Sequence, residues 1–211
     1  DLVSSRGLGD VYKRQINETM FNVIQMLYQI YRNHHYMRKQ LYEILSGDNH
    51  LLLKSILKYI KFKRCGDVRL SVFWLLREMI GDFELAMIAS TRFIELVNYS
   101  ITEIKQFIKC FEMTDDEICC VLAILLLINQ NGGEQCYNLI LDDDDMMNII
   151  CNSIQSQKTK QWMIAVRCLL QILNNCRKYL KKYVSFFVKI IHWKQGSIIA
   201  ALCKWLSLIH I

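Results

Sequence analysis

Apolar residues recur through most of the chain at i, i+3, i+4 and i+7, the spacing that gathers them on one face of a helix with 3.6 residues per turn. The spacing predicts helices over Ile16–Tyr31, Met37–Leu45, Leu51–Phe62, Val68–Ile80, Phe83–Tyr99, Ile101–Phe111, Asp115–Gln130, Glu134–Leu141, Asp144–Ser156, Lys158–Asn174, Tyr179–Trp193 and Ser197–Trp205. The clearest stripe is Trp162, Ala165, Val166, Leu169 and Leu173. Between the stripes fall SGDN, RCGD, INQNGGEQ and KQGS, which supply the glycine that ends a helix and the Asp, Asn or Ser that starts the next. These connections are short, and no linker divides the chain.

The period disappears at the two ends. Residues 1–15, DLVSSRGLGDVYKRQ, show a period of neither 3.6 nor 2, and both they and the closing LSLIHI resemble translated adaptor read-through of the kind found in assembled transcripts. Residues 1–15 and 206–211 are therefore expected to be non-native and are set aside from fold reasoning, leaving 16–205 as one helical repeat domain. On that expectation the segment is an internal piece of a longer protein.

Composition agrees with an all-α fold. The 211 residues include no proline and are 53% hydrophobic and 22% charged, which is globular and lacks the turn chemistry of a β-rich chain. The longest apolar run, ICCVLAILLLI at 118–128, follows TDDE directly and is too short to cross a bilayer, so it reads as a buried helix. The nine cysteines include no Cys-x-x-Cys and read as small core hydrophobes in a reducing compartment, the cytoplasm or nucleus.

The formal charge of +6 falls to +5 over residues 16–205, which is not the signature of a nucleic-acid binder. The clusters Lys54, Lys58, Lys61, Lys63, Arg64 and Arg177, Lys178, Lys181, Lys182 read as solvated faces of amphipathic helices. Asp142–Asp145 reads as a cap on the helix that follows, His34–His35 as a surface turn and His192 as structural. No Gly-rich phosphate loop, no nucleophile beside a base and no His-x-x-x-His appears, so the reading includes no catalytic residue, no metal ligand and no cofactor.

Internal similarity carries the rest. Aligning MFNVIQMLYQIY, RLSVFWLLREMI, ICCVLAILLLIN, IAVRCLLQILNN and SIIAALCKWL puts Met26, Leu75, Ala123, Cys168 and Ala201 in register, at steps of 49, 48, 45 and 33. Two further helical stretches separate successive hubs. The first three steps lie near the range of about 40–47 residues of HEAT and armadillo units.

KQWMIAVRCLLQILNN resembles the third armadillo helix, whose usual form runs A-x-W-A-L-x-N-I, and SVFWLLREMIGD is similar, with Trp74 on the tryptophan position and Glu78 on the asparagine position. The chain thus resembles the armadillo-repeat family, the importin-alpha nuclear-import adaptors among them. The resemblance implies a right-handed α-solenoid of about four repeats, with third helices lining a concave groove for a protein or peptide partner. In that family a tryptophan stacks on lysine stems and an asparagine one turn later clamps the peptide backbone. Carried over, the pairs are Gln25 and Gln29, Trp74 and Glu78, Leu122 and Leu126, Arg167 and Gln171, and Ala200 and Lys204. Trp74 alone keeps the family residue. Glu78 would attract a basic peptide, Gln29 and Gln171 would bond a backbone, and Arg167 and Lys204 would prefer acidic or neutral segments. The alternative function is a generic protein-binding scaffold; a helical enzyme or nucleic-acid binder ranks below both. A repeat array without polar capping units should also expose apolar surface at its ends and self-associate.

Overall fold

The computed structural model describes residues 2–61, 66–88, 90–132, 136, 139–140, 143–156 and 158–175, and every regular element among them is helical. In order they are α1 (Leu2–Asn33), α2 (His35–Leu57), a 3-10 turn (Lys58–Lys61), α3 (Gly66–Gly81), α4 (Phe83–Ile88), α5 (Ser90–Cys110), α6 (Asp115–Asn131), α7 (Asp144–Gln155) and α8 (Thr159–Asn175). The expected helices Tyr179–Trp193 and Ser197–Trp205 lie outside the described residues, as do Ala201, the pair Ala200 and Lys204, His192, the second basic cluster and residues 206–211.

Helices α3, α6, α7 and α8 fall within two residues of their predicted bounds. Elsewhere the helices run past the predicted bounds. α1 continues through residues 2–15, where no helical period is visible. α2 runs straight through SGDN, because Leu41, Tyr42 and Leu45 before it and Leu53, Ile56 and Leu57 after it are buried in one core. A glycine inside a helix costs about 1 kcal/mol against alanine, and that burial outweighs it. α5 passes Ser100, where a break was expected: its hydroxyl donates to the Leu96 carbonyl at 2.7 Å, and Phe93, Leu96, Val97, Ile101, Ile104 and Phe107 carry one buried face across it. On the basic face read on Leu51–Phe62, Lys58 is exposed and Lys54 half-buried. The helix tightens to 3-10 after Leu57, and Lys54 lies over the Tyr99 ring at 4.4 Å.

α1 packs on α3, α3 on α6 and α6 on α8, while α2 pairs with α5 and α7 with α8. Contacts rise together in number along α1, α3 and α6, so these three run side by side in the same direction. The apolar run of 118–128 is the middle of this set: Cys119, Cys120, Val121, Leu122, Ile124, Leu125 and Ile128 are all buried in α6. Among the hub residues, Leu75 and Cys168 are fully buried and Ala123 half-buried, but Met26 is 55% exposed. The α1 core face is Ile24, Tyr28 and Tyr31, and Met26, two residues from Ile24, points elsewhere on the wheel. Exposed apolar side chains gather on α1 (Val11, Ile16, Val23, Met26) and α2 (Ile44, Leu51, Leu52).

Helix ends are fastened by polar groups. Thr114 and Glu117 form a capping box at the start of α6, and Glu117 also receives the Arg69 Nε at 2.8 Å. Arg38 closes α1 by donating to the carbonyls of Tyr31 at 2.7 Å and Arg32 at 3.0 Å, satisfying acceptors a helix end leaves open. Asp143 caps α7 through the Met146 N–H at 3.0 Å and pairs with Lys105, while Asp145 pairs with Lys109 at 3.0 Å. The acidic run therefore fastens α7 to α5; its Asp142 lies outside the described residues. Gly132 must be glycine, since a Cβ there would stand 2.7 Å from the Ile128 carbonyl and against the Cys136 side chain.

Candidate functional site

Polar and aromatic side chains form a row across α1, α3 and α6, with Tyr28, Ser71 and Cys120 buried and Gln25 and Trp74 half-buried. Gln25 on α1 donates its Nε2 to Ser71 Oγ at 2.6 Å, and Ser71 passes its own proton to the Asp67 carbonyl at 2.7 Å. One turn on, the Tyr28 and Trp74 rings lie 5.8 Å apart and tilted by 36°. Trp74 in turn hydrogen-bonds the Cys120 sulfur. The ring is half-buried against the core, so one part of the indole packs and the remainder stays open.

Glu78, one turn beyond Trp74, does not stand alone. Arg77 Nη2 donates to its Oε1 at 2.7 Å, with both side chains partly exposed. Partial burial lowers the Arg77 pKa, but the Glu78 hydrogen bond and charge more than offset that and hold it above its ordinary value. On the α1 side, Arg32 Nη1 donates to the Tyr28 hydroxyl at 2.8 Å and its guanidinium lies 5.9 Å from the ring centre. Gln29 is exposed and accepts from Asn33 at 3.0 Å on its own helix.

The remaining predicted residues are on α8, where Arg167 is exposed and Gln171 half-buried. α3 and α8 pack on α6 rather than on each other, so Arg167 and Gln171 stand one helix away from Trp74. The α6 pair is corrected: Leu122 is fully buried and cannot face a ligand, and Leu126 is half-buried. At the start of α6, Asp115 accepts from Lys158 and from Gln161 at 3.0 Å. The Lys158 bond, which outweighs the effect of desolvation, holds the Asp115 carboxyl below its usual range.

Sequence reasoning missed Tyr28, Ser71, Arg77 and Cys120. Anchoring the alignment on Met26 set a step of 49, which put Gln25 opposite Trp74. The contacts obey another step: Gln25 to Ser71 and Asp115 to Gln161 are each 46 residues apart, and Tyr28 to Trp74 and Trp74 to Cys120 share that separation. The signal was present as aromatic residues at Tyr28 and Trp74.

Burial pushes the Cys120 thiol up to about 11, and the Cys119 thiol is raised by the same cause, so both stay protonated at neutral pH and are poor nucleophiles. Among the described residues no group of three or more His, Cys, Asp and Glu is placed to hold a metal ion, and no helix is long and apolar enough to cross a membrane. No protein-family model, curated protein or solved structure matches the chain.

Proposed function

We propose that the chain is a protein-binding helical-repeat adaptor of armadillo type, whose partner lies as an extended segment across the face of α1, α3 and α6. The observation that carries this is the half-buried indole of Trp74, paired with Tyr28 of α1 and bonded to Cys120 of α6, with Glu78 one turn on along α3. A flat half-open aromatic face suits the methylene stem of a lysine or arginine, and Glu78 its charged end. The recurring separation of 46 residues between facing side chains on successive helices supports a repeat of that length, inside the armadillo and HEAT range. On this reading α1, α3, α6 and α8 are the third helices of successive units in an α-solenoid. Binding of basic peptides, as in nuclear import, is the specific form of the proposal. It would put the protein in the cytoplasm or the nucleus.

A second reading, a scaffold without an import role, draws on the engagement of Gln25 by Ser71, Gln29 by Asn33 and Glu78 by Arg77. Side chains already bonded within the protein have less to offer a peptide backbone. The two part company in a titration of a short lysine-rich peptide against the wild type, Trp74→Ala and Glu78→Lys. Import-type recognition predicts about a fivefold loss in each variant, because Trp74→Ala removes the cation–π contact and Glu78→Lys sets a like charge against the peptide. Equal affinity in all three proteins would leave the scaffold.

A further inference from the structure

We infer that Arg77 is the specificity-determining residue of this face, an internal cation that occupies Glu78 and that an incoming lysine must displace. The inference rests on the peptide-binding reading above and concerns the same site.

The contact is not an automatic product of helix geometry. Neighbouring residues on a helix point about 100° apart and do not face each other, unlike residues three or four apart. Arg77 nevertheless reaches Glu78, its Nη2 donating to Oε1 at 2.7 Å, and the two side chains are 34% and 24% exposed. The guanidinium thus holds its charge on the carboxylate one turn beyond Trp74, the one a ligand's ammonium would seek. Both members of the pair are partly exposed, so the pair opens at small cost and the site stays accessible. The consequence for a ligand is an exchange rather than a gain. A lysine that reaches Glu78 makes one ion pair and breaks another, leaving the aromatic contact as its net benefit. A segment without a cation loses nothing by leaving the Arg77–Glu78 pair closed. Arg77 thus makes the face weakly selective for charge, although a carboxylate stands in it.

The test titrates one lysine-rich peptide and its lysine-acetylated form, followed by tryptophan fluorescence and by calorimetry, against wild type, Arg77→Gln, Arg77→Lys, Glu78→Gln, Arg77→Gln/Glu78→Gln and Trp74→Ala. Circular dichroism checks that each variant is folded. Removal of the competing cation should tighten the lysine peptide by roughly fivefold in Arg77→Gln, the size of a partly exposed ion pair. The acetylated peptide should not change, Arg77→Lys should behave as wild type, and the double variant should lose the gain. An unchanged affinity in Arg77→Gln, or an equal gain for the acetylated peptide, overturns the inference while Trp74-dependent binding keeps the adaptor reading. Absence of binding by every protein, with no change in fluorescence or heat, overturns both.

Discussion

Two junctions between successive helices use the same device and differ in what surrounds it. Where α3 meets α6, Arg69 and Glu117 pair with side chains 9% and 1% exposed; where α6 meets α8, Lys158 and Asp115 pair with side chains 58% and 56% exposed. In both a cation reaches the first turn of the neighbouring helix, where an acid also suits the helix dipole. At the buried junction the carboxylate has further duties. Glu117 accepts from the Thr114 N–H at 2.8 Å in the capping box, and the Arg69 guanidinium lies 5.4 Å from the centre of the Phe107 ring, which stacks on Phe111 and meets Phe73 at a tilt of 58°. At the exposed junction water can replace either partner. The comparison teaches that the sequence separation of a polar tie says little about its worth, because the penalty for breaking it comes from the charge left without solvent.

The largest effect is expected from breaking the buried tie on one side. Glu117→Ala removes the cap and takes a buried carboxylate away from Arg69, and should cost about 3–5 kcal/mol in urea unfolding. Arg69→Met combined with Glu117→Gln keeps the capping box and removes both charges. It should recover most of that loss, and a double variant as unstable as the single one would show that the pair is stabilising in its own right.

Alkaline pH probes the same interior. Burial raises the Cys120 and Cys136 thiols to about 11 and the Tyr42 phenol to about 12. The folded state therefore favours the protonated forms, and the unfolded chain releases its protons first. That stability is complete below about pH 9, where unfolded thiols keep their protons, and is lost as pH rises towards the folded values, at about 1.4 kcal/mol per pH unit for each group. Unfolding midpoints measured from pH 8 to 11 should fall progressively above pH 9. A flat profile would mean that these groups become solvated without unfolding.

A smaller effect belongs to the α1–α3 junction. Gln25→Ala leaves the buried Ser71 hydroxyl with its Asp67 carbonyl acceptor and removes one partly buried hydrogen bond, a loss of about 1 kcal/mol by chemical denaturation. The smallest effect is at the exposed tie, where Lys158→Ala should leave the unfolding midpoint nearly unchanged and its remaining influence should fade with added salt. Its pH dependence has the opposite sense from the thiols. The Asp115 carboxyl is lowered by Lys158, so what it contributes is present above the ordinary carboxylate range and is lost as pH falls through its folded value. A large loss in Lys158→Ala would erase the distinction between the two junctions.

The exposed apolar side chains of α1 and α2 separate the two ends of this comparison further. Ile16, Val23 and Met26 remain open on α1, whereas α3 and α6 each have a packed helix on either side. That surface is where self-association should appear first, as a concentration-dependent sedimentation coefficient that Val23→Ser/Met26→Ser reduces.

How far the chain could be read in advance follows from which contacts are local. The 3.6-residue period is a property of neighbours on one helix, so it located α3, α6, α7 and α8 and marked Trp162, Ala165, Val166 and Leu169 as a core stripe, all of them buried. TDDE lies directly before an apolar run, and its Thr114 and Glu117 form the cap. The absence of proline and the periodicity of the chain were enough to determine an all-α fold. Trp74 and Glu78 were also legible, as an aromatic and an acid one turn apart. Tertiary structure decided the rest. SGDN carries every local mark of a turn, yet Leu45 and Leu53 are drawn into the same core and the helix runs through. Met26 fits the apolar pattern of α1 and is exposed, because only the neighbouring helices decide which of two apolar stripes becomes the inside. The partners of the site residues, Tyr28 for Trp74 and Ser71 for Gln25, depend on the register between helices. Register is set by how side chains from distant parts of the chain fit together, and a one-dimensional pattern does not carry that information.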